Sequence, residues 1–207
     1  MKFRFQWFGL AVAAIFCACS MNNTRMINSW TNPDIKAQPI HFNKILVVAV
    51  APSDTERRSA EDAMVAKIGP KATPSYALLN ESELKDLTIA KKRIQQETFD
   101  GMVLLRWLGV REEKEYSATP TQSPLWDHYS YSWTYMQETN VVLWKILQLE
   151  TRIFSMADEK LIWSGTTETV EPPAIPQLVK NVARVIEKKL RSQGLLSPAK
   201  SEKGAAQ

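Results

Sequence analysis

Two nearly unbroken apolar runs, "KILVVAVA" from Lys44 to Ala51 and "MVLLRWLGV" from Met102 to Val110, limit the folds open to this chain more than any other feature. A strand with one wet face alternates apolar and polar residues, whereas a run apolar at both parities belongs to a strand covered on both faces. Between the two runs lie helical patterns. Ser53 with Glu56 three residues on reads as a capping box, Ala60, Met64 and Ile68 share one helical face, and Gly69-Pro70 ends the segment. "PSYALLN" (Pro74 to Asn80) reads as a second short strand. Asn80 and Glu83 then repeat the capping pattern ahead of a second helix with Leu84, Leu87, Lys91 and Ile94 at three- and four-residue spacing and "KKR" on its exposed side. Asp100-Gly101 turns the chain into the second apolar run. A β-α-β-α-β order of this kind implies right-handed crossovers and a partly parallel sheet.

The second half is written differently. "REEKEYSATPTQSPLWDHY" reads as a polar, proline-containing excursion, and "YSYSWTY" places Tyr129, Tyr131, Trp133 and Tyr135 on one face of an extended strand. In "NVVLWKILQLETRIFS" Leu147, Leu149 and Ile153 face one way and Gln148, Glu150 and Arg152 the other. "MADEK" is a turn, and "LIWSGTTETV" returns as the hairpin partner. Leu178, Val182, Val185, Ile186 and Leu190 form a helical stripe over Gln177 to Arg191, which Gly194 terminates. The fold class is therefore α/β (α+β): β-α-β-α-β, an antiparallel meander and a C-terminal helix, giving a mixed sheet with helices packed on it.

The 207 residues suffice for one domain with a proper core. Hydrophobic residues at 44% and charged residues at 23% exclude both wholesale disorder and a polytopic membrane protein. The sequence pI is near 9.0, yet the formal charge is only +4, and Lys2 and Arg4 supply two of those charges. The rest are interleaved with acids, as in "REEKE" and "KSEK", so no stripe suited to phosphates exists and nucleic acid is not an expected partner.

"MKFRFQWFGLAVAAIFCACS" has two early cations, an apolar stretch from about Phe8 to Phe16 that is too short to span a bilayer comfortably, and small residues at its end. Export through a signal peptide follows. Cys17 and Cys19 are the chain's only cysteines, and neither a further cysteine nor a nearby histidine completes a metal or redox site, so no metal is expected there. The signal resembles that of bacterial lipoproteins, in which a cysteine preceded by a small residue is diacylated and becomes the new N-terminus. Ala18 precedes Cys19 and Ser20 follows it, whereas bulky Phe16 precedes Cys17, so the resemblance implies Cys19 as the lipidation site. An ordinary signal peptide cut near Ala18 is the competing reading. In such lipoproteins Asp after the cysteine favours inner-membrane retention. Ser20 instead implies the outer membrane, facing the periplasm, with palmitate as a label of the anchor. The expected organisation is a signal peptide at 1–18, a lipidated N-terminus and tether at 19–42, a single periplasmic domain at 43–194 and a disordered tail at 195–207. Trp30 in "NSWTNP" predicts that part of the tether docks as a short edge strand.

Catalytic constellations are sparse. The two histidines, His41 and His128, sit in no nucleophile motif, and the seven glycines form no phosphate cradle. Arg57 and Arg58 at a helix start could hold an anion, although capping acids compete for them. Glu112, Glu113 and Glu115 cluster in one strip instead of converging from separate elements, unlike a glycosidase pair. No enzyme activity and no cofactor is expected. The suggestive surface is aromatic: Trp126, Tyr129, Tyr131, Trp133 and Tyr135 are suited to a protein partner or to glycan rings, or else to the core of the sheet.

Taken together, "ACS", "NSWTNP", "FNKILVVAV", "RRSAEDAM", "PSYALL", "FDGMVLLRWLGV" and "LETRIFSMADEKLIWSGTTET" resemble an uncharacterised family of bacterial envelope lipoproteins, a domain of unknown function. The order of elements also looks like the periplasmic α/β domain of penicillin-binding-protein activator and curli-secretion-type lipoproteins. Those resemblances imply a non-catalytic, lipid-anchored envelope protein with an adaptor or protein-interaction role, its partners being the membrane and an envelope protein or peptidoglycan. A small-ligand or cell-wall-glycan binding module using the aromatic face is the alternative. A curli-type membrane-inserting hairpin over 129–153 fits poorly, because Lys145, Glu150 and Arg152 would face lipid.

Overall fold

The computed structural model describes residues 23–35, 39–116, 129 and 141–197. Within them the elements run β1 (Thr24–Thr31), β2 (Ile45–Val50), α1 (Asp54–Ile68), β3 (Ala72–Pro74), a 3-10 turn (Ser75–Ala77), α2 (Glu81–Lys85), α3 (Leu87–Gln95), β4 (Gly101–Tyr116), β5 (Val141–Ser155), β6 (Lys160–Val170) and α4 (Ile175–Ser192). The strands form one six-stranded mixed sheet in the order β1-β6-β5-β4-β2-β3. β2 pairs in parallel with both β3 and β4, and the remaining pairings are antiparallel. Four helices pack on this sheet, as the α+β reading of the sequence expects.

β2 is covered on both faces, as its apolar run requires. Val47 and Ala49 join the large core under α1 and α4, while Leu46 and Val48 pack with Phe99, Leu84 and Ile94 beneath α2 and α3. Asp100 fastens the start of β2 to the start of β4: its carboxylate accepts from the backbone N–H of Asn43 at 2.7 Å and of Lys44 at 2.9 Å. On the antiparallel half only one face is roofed. Leu147, Leu149 and Ile153 point into the core beneath the helices, with Trp163 fully buried beside them. The Trp163 indole lies across Gly165, where any Cβ would stand 2.3 Å from the ring, and its N–H donates to Gln193 at 3.0 Å.

Several boundaries differ from the sequence reading. "PSYALLN" is a strand only up to Pro74, because Ser75 turns inward to bond a buried carboxylate and the chain closes into a 3-10 turn. The helix read as continuous after Asn80 is two helices. The Asn80–Glu83 capping box starts α2, and Asp86 ends it and restarts α3 by accepting from the N–H of Thr88 and Ile89. "REEKEY" is not part of an excursion; it continues β4 as far as Tyr116, paired with Val141 at the start of β5. Trp30 does mark an edge strand, β1, which takes eight residues of the expected tether into the sheet. Residue 195, the expected start of the tail, is packed into the fold. With Gly194 at φ 72, the Leu195 N–H reaches back to the Leu190 carbonyl and the Gly194 N–H to that of Arg191, the Schellman pattern, and Leu195 is buried.

One buried polar network sets how α1 sits on the sheet. Glu61 is 0% exposed, and its carboxylate accepts from the Ala49 N–H of β2 at 3.0 Å, from Ser75 Oγ at 2.6 Å and from the Tyr76 N–H at 3.2 Å. Arg57, 3% exposed, lies 3.7 Å from it and donates to Ser75 Oγ at 3.1 Å. Removing the Glu61 carboxylate leaves the Ala49 and Tyr76 amides and the Ser75 hydroxyl without their acceptor, while Arg57 keeps Asp54 at 2.9 Å, and each buried donor left unpaired costs about 1–3 kcal/mol. Glu61→Ala is therefore expected to lower the unfolding free energy by about 3–5 kcal/mol, measured by urea denaturation. A loss below about 1 kcal/mol would mean that these donors are satisfied without it.

Candidate functional site

Of the residues read from the sequence as sites, Cys19, Trp126, Tyr131, Trp133 and Tyr135 lie outside the described residues, as do Asp127 and His128. Tyr129 is described; its backbone is helical where an extended strand was expected, and its side chain is 57% exposed. The acids of the "REEKE" strip that can be described, Glu112 and Glu113, are exposed on the far half of β4. β5, proposed for lipid insertion only in the curli-type comparison, is interior to the sheet between β4 and β6.

At the N-terminus of α1 both arginines are paired with an acid of the same turn. Ser53 Oγ accepts from the Glu56 N–H at 3.2 Å, and Asp54 takes both cations: Arg57 Nε donates to it at 2.9 Å and Arg58 Nε at 2.7 Å. These bonds, from Arg57 first and Arg58 second, hold the Asp54 carboxyl below its usual range.

A different site, for which no local sequence pattern is a signal, opens between α1 and α4. It is a cleft of about 380 Å3 whose walls include Met64 and Ile68 of α1, Ala183, Ile186 and Leu190 of α4, and Ile40 and Phe42 of the segment leading to β2. Ile45, Val103, Thr151 and Ile153 line it from the sheet. Lys67, Lys71, Glu187, Arg191 and His41 provide its polar side chains. Glu187 bridges Lys67 at 2.9 Å and Arg191 at 2.8 Å, and those two partners hold its carboxyl below the usual range against the cost of partial burial. Lys71 Nζ donates to the Phe42 carbonyl at 3.0 Å.

The unroofed face of the sheet carries a second polar array. Glu168 on β6 is only 5% exposed at its side chain, although it faces away from the helices, because three long neighbours surround it. Gln148 Nε2 donates to it at 2.8 Å, and the Arg25 and Arg111 guanidiniums stand 3.0 and 3.1 Å away. The Gln148 bond above all, with both arginines adding to it, keeps this carboxyl below the ordinary range in spite of burial. One strand along, Glu150 bridges Arg106 at 2.8 Å and Arg152 at 2.9 Å. Among the described residues no group of three or more His, Cys, Asp or Glu could hold a metal ion, and no helix is long and apolar enough to cross a membrane.

No protein-family model and no curated protein matches the chain. Solved structures similar to it include the PelC dodecamer from Paraburkholderia phytofirmans, at 9% identity and a TM-score of 0.40 over 84% of this chain and 99% of that one. A single-residue variant of the same dodecamer aligns at 7% identity and 0.40 over the same shares. Lipoprotein GNA1162 from Neisseria meningitidis aligns at 12% identity and 0.36 over 72% and 98%. At these values the likenesses carry no conclusion about what this chain does.

The Glu168 array has a pH signature. A carboxyl that ionises more readily in the folded chain stabilises it fully above its unfolded pKa, about 4.3, and loses that contribution as the pH falls through the lower folded value. Stability is therefore expected to drop on acidification below about pH 4.5. Glu168→Gln should lose less than the parent over that window in urea unfolding at pH 7, 5, 4 and 3. Parallel curves would mean that Glu168 contributes nothing to the acid limb.

Proposed function

We propose that this chain is a non-catalytic lipoprotein of the bacterial envelope, held at the periplasmic face of the outer membrane by a diacylglyceryl group on Cys19, with an α/β domain that binds an envelope partner. The observation that carries the reading is where the sheet begins. β1 opens at Thr24, five residues beyond Cys19, so the connection reaches at most about 18 Å. Two acyl chains on one cysteine give stable anchoring where a single chain is marginal, and so short a connection keeps the domain against the surface to which they hold it.

The register then orients the sheet. Thr24 is level with Thr169, Thr169 with Leu147, and Leu147 with Val110. β4 continues past that row to Tyr116, a further six residues or about 20 Å, toward the same side as the anchor. The stretch between β4 and β5, which contains Trp126, Tyr129, Tyr131, Trp133 and Tyr135, thus departs from the membrane-proximal end. Amphipathic aromatics supply rigid contact area there for a protein partner. The exposure of Tyr129 favours contact over core packing, and it equally favours the second reading, a small-ligand or cell-wall-glycan binding module.

Palmitate labelling in cells is expected to vanish in Cys19→Ser and to persist in Cys17→Ala; label that follows Cys17 would overturn the assignment. In-cell crosslinking should lose bands in Trp126→Ala and Trp133→Ala, and an unchanged pattern from folded variants would remove the aromatic surface as the contact.

A further inference from the structure

The unroofed face of the sheet carries a surface that rests neither on the anchoring at Cys19 nor on the segment between β4 and β5. Register decides which side chains share it. Trp163 is fully buried and its ring fills the space where a Gly165 side chain would stand, so Ser164 between them points the other way, to the open face. Residues directly opposite in an antiparallel ladder share a face, and Ser164 is opposite both Trp30 of β1 and Arg152 of β5. Trp30, 46% exposed on the edge strand, and Arg152 therefore stand in one row, two strand spacings or about 10 Å apart, with a small serine between them. Charge on this face is layered. Glu150 and Glu168 are 14% and 5% exposed at their side chains, whereas the arginines paired with them, Arg106, Arg152, Arg25 and Arg111, range from 40% to 73%. The acids lie underneath and the guanidiniums meet solvent. Glu113 adds a third acid, 3.7 Å from Arg111, but around Glu150 two arginines share one carboxylate, and Arg152 gives it only Nη2, at 2.9 Å.

We propose that this face binds an acidic saccharide, a chain of sugar rings bearing carboxylates. One ring lies with its C–H face on the Trp30 indole, which offers a rigid apolar surface. Its carboxylate meets the forked donors of Arg152, and a carboxylate further along the chain meets Arg106, the diagonal neighbour of Arg152 across Glu150. The backbones of β5 and β6 are already paired on both sides, so recognition here is by side chains alone, which suits a ring that stacks better than a peptide that adds as a strand. Single-stranded nucleic acid also takes arginine and aromatic contacts, but it stacks successive bases on several aromatics, and among the described residues Trp30 is the one exposed aromatic that the register places on this face.

The test uses the full chain as cells process it, in nanodiscs of phosphatidylcholine with empty nanodiscs as blanks. Tetragalacturonate, its methyl ester, citrate and oligothymidylate are titrated at physiological salt, with affinities from calorimetry and contact read from the Trp30 indole NMR signal, assigned by its loss in Trp30→Tyr. Tetragalacturonate is expected to shift that signal saturably and to bind about threefold to fivefold more tightly than the ester, which keeps the skeleton and removes the charge. Arg152→Gln, which leaves Glu150 its bond to Arg106, should weaken the acid by about threefold to fivefold and leave the ester unchanged. Trp30→Leu, apolar but without a ring, should weaken acid and ester alike by about twofold to tenfold, whereas Trp30→Tyr should retain both. The proposal is overturned if the Trp30 signal shows no saturable shift, if the ester, citrate or oligothymidylate matches tetragalacturonate, or if Arg152→Gln leaves the affinity of the acid as it was.

Discussion

The Glu61 carboxylate is the constraint on which the rest of the domain depends. It sits on α1, bonds the backbone of β2 at Ala49, and captures both Ser75 and the Tyr76 N–H just after β3. Three consecutive pieces of a β-α-β unit are thereby held at one point, with Arg57 balancing the charge at 3.7 Å. An apolar side chain at this position would bury as well but would leave the Ala49 and Tyr76 amides and the Ser75 hydroxyl to find other partners, in a place with few to offer. The network therefore specifies where α1 lies along the sheet, and α1 in turn provides one wall of the cleft and one side of the packing against α4.

Charge is organised on a repeated scheme. Asp54, Glu150, Glu168 and Glu187 each stand between two cations, drawn respectively from Arg57 and Arg58, Arg106 and Arg152, Arg25 and Arg111, and Lys67 and Arg191. For Asp54, Glu168 and Glu187 the consequence is a carboxyl held firmly ionised. General acid catalysis at neutral pH needs the opposite environment, one that raises a carboxyl toward 7. The same scheme occupies seven of the arginines among the described residues: Arg25, Arg57, Arg58, Arg106, Arg111, Arg152 and Arg191 are each paired with one of these four acids.

What could be read from the sequence was whatever periodicity and caps encode. The doubly covered β2, the Asn80–Glu83 box, the alternation of Leu147, Leu149 and Ile153 and the stripe on α4 are local patterns, and the structure reproduces them. The departures each have a specific cause. Ser75 leaves the strand because Glu61, fourteen residues away, accepts its hydroxyl. Asp86 divides one amphipathic pattern into two helices because its side chain recaps the chain at Thr88 and Ile89. The polar "REEKEY" extends β4 because an exposed strand in a long hairpin has no need of apolar residues on both faces. The cleft was invisible for a related reason. Its lining comes from residues between Ile40 and Leu196, each ordinary in its own neighbourhood.

The domain is polar from end to end, and this bears on what its two candidate surfaces can meet. Thr24, where the chain enters the sheet, and the far half of the β4–β5 hairpin share one end. The cleft belongs to the other: Ile153 is level with Trp163, and Trp163 with Thr31 at the far end of β1. Seven residues separate Thr31 from Thr24, about 23 Å along the strand, more than half the thickness of a bilayer with its headgroups. Under the proposed anchoring at Cys19, the cleft would be out of reach of lipid still seated in that leaflet. Under that anchoring, whatever enters the cleft would have to arrive through the aqueous phase.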